Sequence, residues 1–338
     1  MRLLGSTLLG LGSALLVLLA PGATGAQAKP PVPLVGCGQR GRVVFDKDAT
    51  LSDGSGRRVA RFSGGESAVT LIAPPAEGSD LVRIETGTGR GSFRIPGLLK
   101  ASELRLYTNV AVQVVSGHVW FPPGTRVMAA GASDGKVRLE KQVSTPFNQR
   151  FSALAECSAL TFSPPTPPGE RIPGNARAYL MKVPLLDLHN DASPRKIVTT
   201  LQRSQLVDSV RFFSTESRAG FVHVRYQGEV HIDGWAKASD LEPLRRGETS
   251  DVAPSTYTLT APPQLQLQQL PRVVHTTREL PLRVVARESE PPIGVVEAET
   301  DVYVMDTVAG WANVLPKSLH VLPADNLSFW VKATDLGL

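Results

Sequence analysis

The stretch Gly97–Leu104 reads GLLKASEL, and close variants of it return three more times along the chain. The later copies are ALAECSAL at Ala153–Leu160, GWAKASDL at Gly234–Leu241 and FWVKATDL at Phe329–Leu336. Each copy closes a segment that is rich in β-forming residues. The intervals between the copies are unequal, which indicates divergent domains and not a solenoid with a fixed period. The sequence therefore predicts four small β modules in series.

The third copy shows why this pattern favours the end of a β module. Trp235 and Lys237 alternate along a short strand, with Trp235 towards the core and Lys237 near the rim. Ser239 and Asp240 then favour a single helical turn, because short polar side chains can bond to the backbone just ahead. Leu241 returns the chain to the core. Strand, single helical turn and strand form the ending of an SH3-like barrel, so we predict an all-β fold of tandem small SH3-like barrels.

Modules three and four contain paired strands that begin with glycine and an aromatic residue. Module three has GFVHVRYQG at Gly220–Gly228 before Gly234–Leu241, and module four has GWANV at Gly310–Val314 before Phe329–Leu336. These stretches resemble the bacterial SH3 (SH3b) family, whose usual pattern is a G-W-x-x-V strand, a turn, and G-W-V with a short helical turn. Module one retains only Leu81–Ile84 and the closing motif, and module two lacks both Gly-Trp pairs.

The N-terminus has the features of a secretory signal peptide over residues 1–28. Arg2 supplies positive charge, Leu3–Ala20 is apolar, and Ala26–Ala28 is a small-x-small cleavage site. A membrane anchor is the alternative, but Pro21 and Gly22 directly after the apolar run favour cleavage. No later segment is long enough to span a bilayer. Arginine outnumbers lysine, as expected of a GC-rich bacterial genome, so we expect an exported bacterial protein, periplasmic or extracellular.

The charge of the chain argues against a nucleic-acid partner. Cleavage after residue 28 removes one arginine and no acidic residue, and it lowers the net charge from +5 to +4. The remaining basic residues are scattered and do not alternate with aromatic residues. A basic stripe of that kind is the usual footprint of nucleic-acid binding. We therefore expect no nucleic acid among the partners.

The chain contains two cysteines, Cys37 and Cys157. An even number of cysteines in an exported chain favours one disulfide, which would tie the N-terminal segment across the first two modules. The alternative is a lipoprotein acylated on Cys37, because Leu34–Cys37 has the residue types of a lipobox. A lipobox directly follows the apolar region, however, whereas Ala23–Pro33 intervene here. The disulfide is the favoured interpretation.

Composition places the module boundaries. Prolines are dense in the stretch SPPTPPG at 163–169, which favours a stiff spacer; a ligand for the SH3 domain of another protein is the alternative. Modules of roughly 55–70 residues have marginal cores, so we expect module one to pack with two, and three with four, as two separable halves. The predicted segments are a lead-in at 29–40, module one at 41–107, module two at 109–162, a Pro-rich linker at 163–176, module three at 177–244, a linker at 245–271 and module four at 272–338.

The sequence contains no recognised catalytic or metal-binding pattern. None of the six histidines lies in H-E-x-x-H or a similar spacing. His223, His231 and Asp233 come nearest to a metal cluster, but exposed hairpin histidines are more common. There is no G-x-S-x-G serine, P-loop or dinucleotide fingerprint, and the cysteines lack the context of a thiol nucleophile. We therefore predict a non-catalytic protein with no metal and no cofactor.

Aromatic residues give the best indication of a ligand site, because SH3-like barrels bind through an aromatic-lined groove between loops. The candidates are Phe221, His223, Tyr226 and Trp311. Core packing is the alternative for Phe221 and Trp311. His223 and Tyr226 lie on opposite faces of an ideal strand, since three positions separate them. They can share a groove only if the strand ends or bends near Tyr226.

The resemblance to the SH3b family implies recognition of peptidoglycan peptides or of other envelope proteins. We therefore predict an exported binding protein whose partner is a cell-wall peptide or an envelope protein. One alternative is a structural or assembly protein of the envelope without glycan recognition. A second alternative is a hydrolase or hydrolase subunit. Aromatic side chains exposed in the module-three groove would favour ligand binding, whereas aromatic side chains buried between modules would favour the structural role.

Overall fold

Strands make up almost all regular structure in the computed structural model, which describes residues 36–45, 49–87, 92–166, 172–244 and 271–338. Helix in these residues is limited to four 3-10 turns of three or four residues each. The all-β prediction is therefore confirmed. None of the described helical turns is long and apolar enough to cross a membrane. The predicted signal peptide, the lead-in before Gly36 and residues 245–270 of the second linker lie outside the described residues.

The strands are numbered in chain order. The first two modules contain β1 (Gln39–Val44), β2 (Thr50–Ser52), β3 (Arg58–Phe62), β4 (Glu66–Ala73), β5 (Leu81–Thr86), β6 (Phe93–Arg94), β7 (Pro96–Lys100), β8 (Leu106–Thr108), β9 (Val112–Val115), β10 (Val119–Phe121), β11 (Arg126–Ser133), β12 (Lys136–Val143), β13 (Gln149–Ala155) and β14 (Leu160–Thr161). The third module contains β15 (Arg177–Met181), β16 (Leu185–His189), β17 (Ile197–Gln202), β18 (Arg211–Ser214), β19 (Ser217–Arg218), β20 (Phe221–Gln227), β21 (His231–Lys237) and β22 (Leu241–Pro243). The fourth contains β23 (Arg272–Thr276), β24 (Leu280–Leu282), β25 (Gly294–Val296), β26 (Thr300–Val308), β27 (Trp311–Pro316), β28 (Val321–Pro323) and β29 (Trp330–Lys332).

These strands form five antiparallel sheets. The first has the order β1-β4-β5-β7-β2-β3-β28, and the second has the order β13-β12-β11-β8-β14. The third runs β17-β16-β21-β20-β18-β15-β22 with β9, β10 and β19 attached, and the last two are β23-β26-β27-β29 and β24-β25-β6. Within the described residues no sheet closes on itself, so the predicted barrels are open. Two strands of module one, β3 and β6, pair instead with strands of another module.

The closing motif forms the predicted strand, helical turn and strand in the first three modules, and in the fourth the turn ends the chain. The four turns are Ala101–Glu103, Cys157–Ala159, Ala238–Asp240 and Ala333–Leu336. No side chain caps any of them, so the predicted capping role of the serine or threonine is wrong. The residue before each turn is a lysine or a glutamate, and Ser239 bonds to Asp240 instead. The closing leucines are buried in every copy.

Strand pairing joins the modules in an unexpected way. Module one pairs with module four through β3–β28 and β6–β25, and module two pairs with module three through β10–β21. The side chains of Arg94 and Glu279 reinforce the first junction with an ion pair of 2.7 Å. The described residues after Leu34 accordingly belong to one compact unit. Hydrogen-bonded strands therefore cross the boundary at which the sequence predicts two separable halves.

The two cysteines form the predicted disulfide. Cys37 lies just before β1, and Cys157 begins the helical turn that closes module two. The bond links residues that are 120 positions apart. Closing a loop of this length stabilises the folded chain by about 4–5 kcal/mol in the chain-entropy description. Both sulfurs are used in this bond, so the structure supports the disulfide over acylation of Cys37.

Candidate functional site

The hairpin of β20 and β21 carries three of the four predicted site residues. Phe221, His223 and Arg225 alternate along β20 on one face, opposite Lys237, Trp235 and Asp233 of β21. Val222, Val224 and Tyr226 point to the other face. The pairing stays in register through Tyr226, so the strand does not bend there. Phe221 and His223 therefore share a face, and Tyr226 lies on the opposite one.

Tyr226 packs at a junction between modules. Its ring lies 5.1 Å from that of Phe147 in an edge-on arrangement, and 6.2 Å from that of Phe212. Phe147 belongs to module two, whereas Phe212 belongs to module three. Burial, with a smaller contribution from the negative charge of Glu229, raises the pKa of Tyr226 to about 12. These surroundings are those of a packing residue and not of a groove residue.

His223 belongs to a partly exposed stack of side chains. Its ring lies parallel to that of Trp235 at 4.9 Å, and the guanidinium of Arg218 covers Trp235 at 4.9 Å. His223 Nε2 is 2.5 Å from Asp233 Oδ1, and Arg225 Nε is 3.0 Å from Asp233 Oδ2. Burial acts to raise the pKa of Asp233, but the hydrogen bond and charge of His223, with Arg225, outweigh burial and leave it below the ordinary value.

Phe221 is buried beneath this stack, with 7% of its surface exposed. Its ring meets that of His189 edge-on at 5.2 Å. His189 is 1% exposed, and neither of its ring nitrogens has a hydrogen-bond partner among the described residues. Phe221 is thus a core residue, as the alternative interpretation held, whereas His223, Asp233, Lys237 and the arginines of this face reach solvent.

Trp311 occupies the equivalent place in module four. It follows a two-residue turn with positive φ at Ala309 and Gly310, as Phe221 follows Ala219 and Gly220. It pairs with Lys332 just as Phe221 pairs with Lys237. Its ring is 9% exposed and lies 5.4 Å beneath the guanidinium of Arg283. Trp311 therefore does not share a site with the module-three residues, and it is covered from within its own module.

A groove with a volume of about 680 Å³ lies where module one meets module four. One wall is the turn between β2 and β3, and the other is the segment before β25. The floor consists of residues from β5 and β7. The lining residues are Asp53, Gly54, Ser55, Arg57, Arg83, Pro96, Gly97, Leu98, Glu290, Pro291, Pro292 and Ile293.

The first wall of the groove is held by the side chain of Asp53. Its Oδ1 accepts hydrogen bonds from the N–H and hydroxyl of Ser55 and from the N–H of Arg57, at 2.6–3.0 Å. These hydrogen bonds, led by that of the Ser55 hydroxyl, keep the pKa of Asp53 below its ordinary value. Asp53 and Gly54 thus begin a tight turn, in which Gly56 is the glycine with positive φ.

The second wall is fixed by Glu290 and the two prolines that follow it. Arg283 Nε donates a 2.9 Å hydrogen bond to the carbonyl oxygen of Glu290, and Arg57 Nη1 lies 2.8 Å from Glu290 Oε1 across the groove. A side chain at Gly294 would overlap the carbonyl oxygen of Arg94, so glycine is required where β25 meets β6. Both walls are thus anchored before any ligand arrives.

Sequence reasoning missed this groove. Its two walls come from segments more than 200 residues apart in the sequence. Neither segment contains a local pattern that predicts contact with the other. The dipeptide Pro291-Pro292 and the exposed arginine in Leu81–Ile84 are the only traces that the sequence offers. The predicted site residues, by contrast, were chosen from one hairpin, where strand alternation can be read directly.

Three or more metal-ligating side chains do not come together anywhere in the described residues. His231, which the sequence places nearest to a cluster with His223 and Asp233, packs edge-on against Trp120 of module two at 5.7 Å. It lies at the β10–β21 junction, while His223 is engaged with Asp233. The described geometry gives this trio no shared metal site.

Comparison with known proteins adds little. No family model matches the chain, and no curated protein matches it. Among solved structures it is similar to NlpC2 from Trichomonas vaginalis, with 13% sequence identity and a TM-score of 0.16. The alignment covers 46% of this chain and 46% of that chain, so each spans less than half of the other. A likeness at this level assigns neither a fold nor an activity to this chain.

Proposed function

We propose that the protein is an exported, non-catalytic binding protein that recognises a cell-envelope component, and that the groove between modules one and four holds its ligand. The groove itself is the observation that carries this proposal. Its volume of about 680 Å³ lies within the range of roughly 300–1,000 Å³ that is usual for ligand sites. Its second wall is apolar from Pro291 to Ile293, and polar groups line the first wall; ligand sites usually combine apolar surface with a few polar groups.

Two observations support the proposed export. The Cys37–Cys157 disulfide is of a kind that persists in oxidising compartments. The N-terminal sequence has the composition of a secretory signal. The resemblance of modules three and four to SH3b domains then favours a peptidoglycan peptide or an envelope protein as the ligand.

A structural or assembly role is the second candidate, and the placement of the aromatic rings favours it. Tyr226 packs on Phe147, Trp120 packs on His231, and Phe93 of module one lies 5.8 Å from Phe329 of module four. Each of these pairs joins two modules. In an SH3-like receptor, aromatic side chains line the groove that binds the ligand. Here these aromatic side chains pack between modules instead.

Sedimentation with purified peptidoglycan and with solubilised envelope proteins tests the proposal. Leu98→Arg places a long charged side chain on the groove floor, and Leu206→Arg makes the same change at an exposed position outside the groove. We expect wild type and Leu206→Arg to bind an envelope fraction, and Leu98→Arg to lose most of that binding with an unchanged melting temperature.

Two results would contradict the proposal in different ways. If Leu98→Arg binds as wild type does, the groove is not the ligand site. If wild type binds neither peptidoglycan nor any envelope protein, the binding function is wrong and the structural role takes its place.

A further inference from the structure

The charges that line the groove between modules one and four do not all have partners. Arg57 is paired with Glu290 at 2.8 Å, and the carboxylate of Asp53 is occupied by the backbone of its own turn. Arg83 is the exception. Its side chain is exposed, and it forms no ion pair or hydrogen bond with any described residue. The four charges that line the groove sum to zero, and Arg83 is the one among them whose side chain has no ion pair or hydrogen bond with a described residue.

The position of Arg83 follows from strand register. It lies on β5 directly opposite Leu98 of β7, and Glu85 lies opposite Pro96. Val82 and Ile84 are fully buried on the other face, so alternation sends Arg83 to the groove side. The side chain of Arg83 therefore lies on the same face of the sheet as Leu98 and Pro96, which form the floor of the groove.

The walls indicate the shape of the ligand. Pro291, Pro292 and Ile293 form an apolar wall along one side, opposite the polar turn that contains Asp53 and Ser55. A groove of this form accommodates an extended peptide, whose side chains contact the apolar wall while its polar groups stay near water. Arginine presents a planar fork of donors that matches a carboxylate, and such charge-assisted pairs are among the stronger hydrogen bonds.

We propose that Arg83 anchors the carboxylate of an extended peptide bound in the groove between modules one and four. This inference rests on the proposed binding function and names the chemistry of the ligand. The carboxylate can come from an acidic side chain or from the C-terminus of the peptide. The ion pair of Arg57 with Glu290 holds the walls at a fixed separation while the peptide binds.

Four synthetic peptides separate the two sources of the carboxylate. They are acetylated AAEAA with an amidated C-terminus, acetylated AAQAA with a free C-terminus, a doubly carboxylated AAEAA with a free C-terminus, and a neutral acetylated and amidated AAQAA. Binding of each to the full mature chain is measured by ¹H–¹⁵N NMR titration. We expect the carboxylated peptides to shift the amide signals of Val82–Ile84 and Ser55, and to bind at least about tenfold tighter than the neutral peptide.

Arg83→Gln and Arg40→Gln form a matched pair of variants. Arg40 is an exposed arginine of β1 outside the groove, so its replacement makes the same change in net charge. We expect Arg83→Gln to lose the preference for carboxylated peptides and to weaken their binding at least about tenfold. Arg40→Gln should bind as wild type does, and Arg83→Lys should recover only part of the loss, because it restores the charge without the fork.

The inference is overturned if Arg83→Gln keeps wild-type affinity, if the neutral peptide binds as tightly as the others, or if wild type binds no peptide. The same variants in the envelope sedimentation assay separate this failure from that of the proposed function. Envelope binding that survives in Arg83→Gln leaves the binding function standing without the carboxylate anchor. Envelope binding absent from wild type removes the proposed function itself.

Discussion

At the scale of single residues, strand alternation in module three was readable from the sequence and the partners of each side chain were not. Spacing alone predicts that Phe221 and His223 share a face and that Tyr226 points away, and the register confirms it. What covers each face depends on segments distant in sequence. Phe147, which packs on Tyr226, belongs to another module. The predicted site therefore divides into a buried residue, a partly exposed histidine and a packing tyrosine.

Tyr226→Ala should destabilise the protein by about 3–5 kcal/mol, because it removes a large ring from between Phe147 and Phe212. Tyr226→Phe should cost far less, since the ring remains. Urea unfolding of both variants measures the two effects. Loss of ligand binding by Tyr226→Ala with an unchanged unfolding free energy would place the tyrosine in a groove instead.

Asp233 should contribute stability that depends on pH. Its folded-state pKa lies below the ordinary value of 3.8, so the charged carboxylate stabilises the fold above about pH 4. That contribution disappears as the pH falls through the folded-state pKa. The gap in unfolding free energy between wild type and Asp233→Asn should therefore be larger at pH 7 than at pH 3. Glu242→Gln, at an exposed position of the same module, is the control, and an equal Asp233→Asn gap at both pH values would refute the linkage.

At the scale of elements, the sequence predicted those features that depend on residues adjacent in the chain. The closing motif gives a short helical turn in all four of its copies. Edges were not predictable, because whether a strand such as β3 ends a sheet depends on β28, far along the chain. The groove was missed for the same reason, since its two walls belong to different elements of different modules.

The hairpin turn before β20 contains a strained alanine. Ala219 has φ of +48° and Gly220 has φ of +76°, the arrangement in which asparagine followed by glycine is favoured. In the left-handed region of positive φ, the Cβ of an L-residue crowds the backbone and raises its conformational energy. Among residues with a Cβ, asparagine adopts this conformation most readily. Ala219→Asn should therefore stabilise the protein by about 0.5–1 kcal/mol.

The equivalent turn in module four provides the control for this prediction. Ala309 has φ of +48° ahead of Gly310, so Ala309→Asn should stabilise by a similar amount. Thermal unfolding of the two single variants and of the double variant tests whether the effects add. A destabilised Ala219→Asn variant would show that this turn is held by contacts other than its own backbone preference.

At the scale of the whole molecule, covalent and non-covalent links tie distant modules together. Replacing both cysteines, as Cys37→Ser with Cys157→Ser, should lower the unfolding free energy by about 4–5 kcal/mol at most, less any strain in the native bond. Mass spectrometry of the secreted wild type should find one disulfide and no free thiol. A diacylglyceryl group on Cys37 would contradict the disulfide directly.

Cleavage between the two halves should leave them associated. A protease site inserted between Thr166 and Ile172 cuts the chain where no disulfide spans the cut, since both cysteines precede it. The pairings β3–β28, β6–β25 and β10–β21 should nevertheless hold the fragments together. We expect one peak in native size-exclusion chromatography and two peaks in 6 M urea. Two native peaks would show that the halves are independent after all.

The pairing of β3 with β28 also sets an order of events during synthesis. Arg61 and Leu322 are partners in this pairing, and about 260 residues must be added to the chain after the first before the second exists. At roughly 5–20 residues per second, that interval lasts about 13–50 s. Throughout it, the outer edge of β3 carries unpaired backbone groups, which are a template for aggregation. The groove is likewise incomplete until module four has been synthesised, so a truncated chain would expose the edge of β3 and would lack the proposed ligand site.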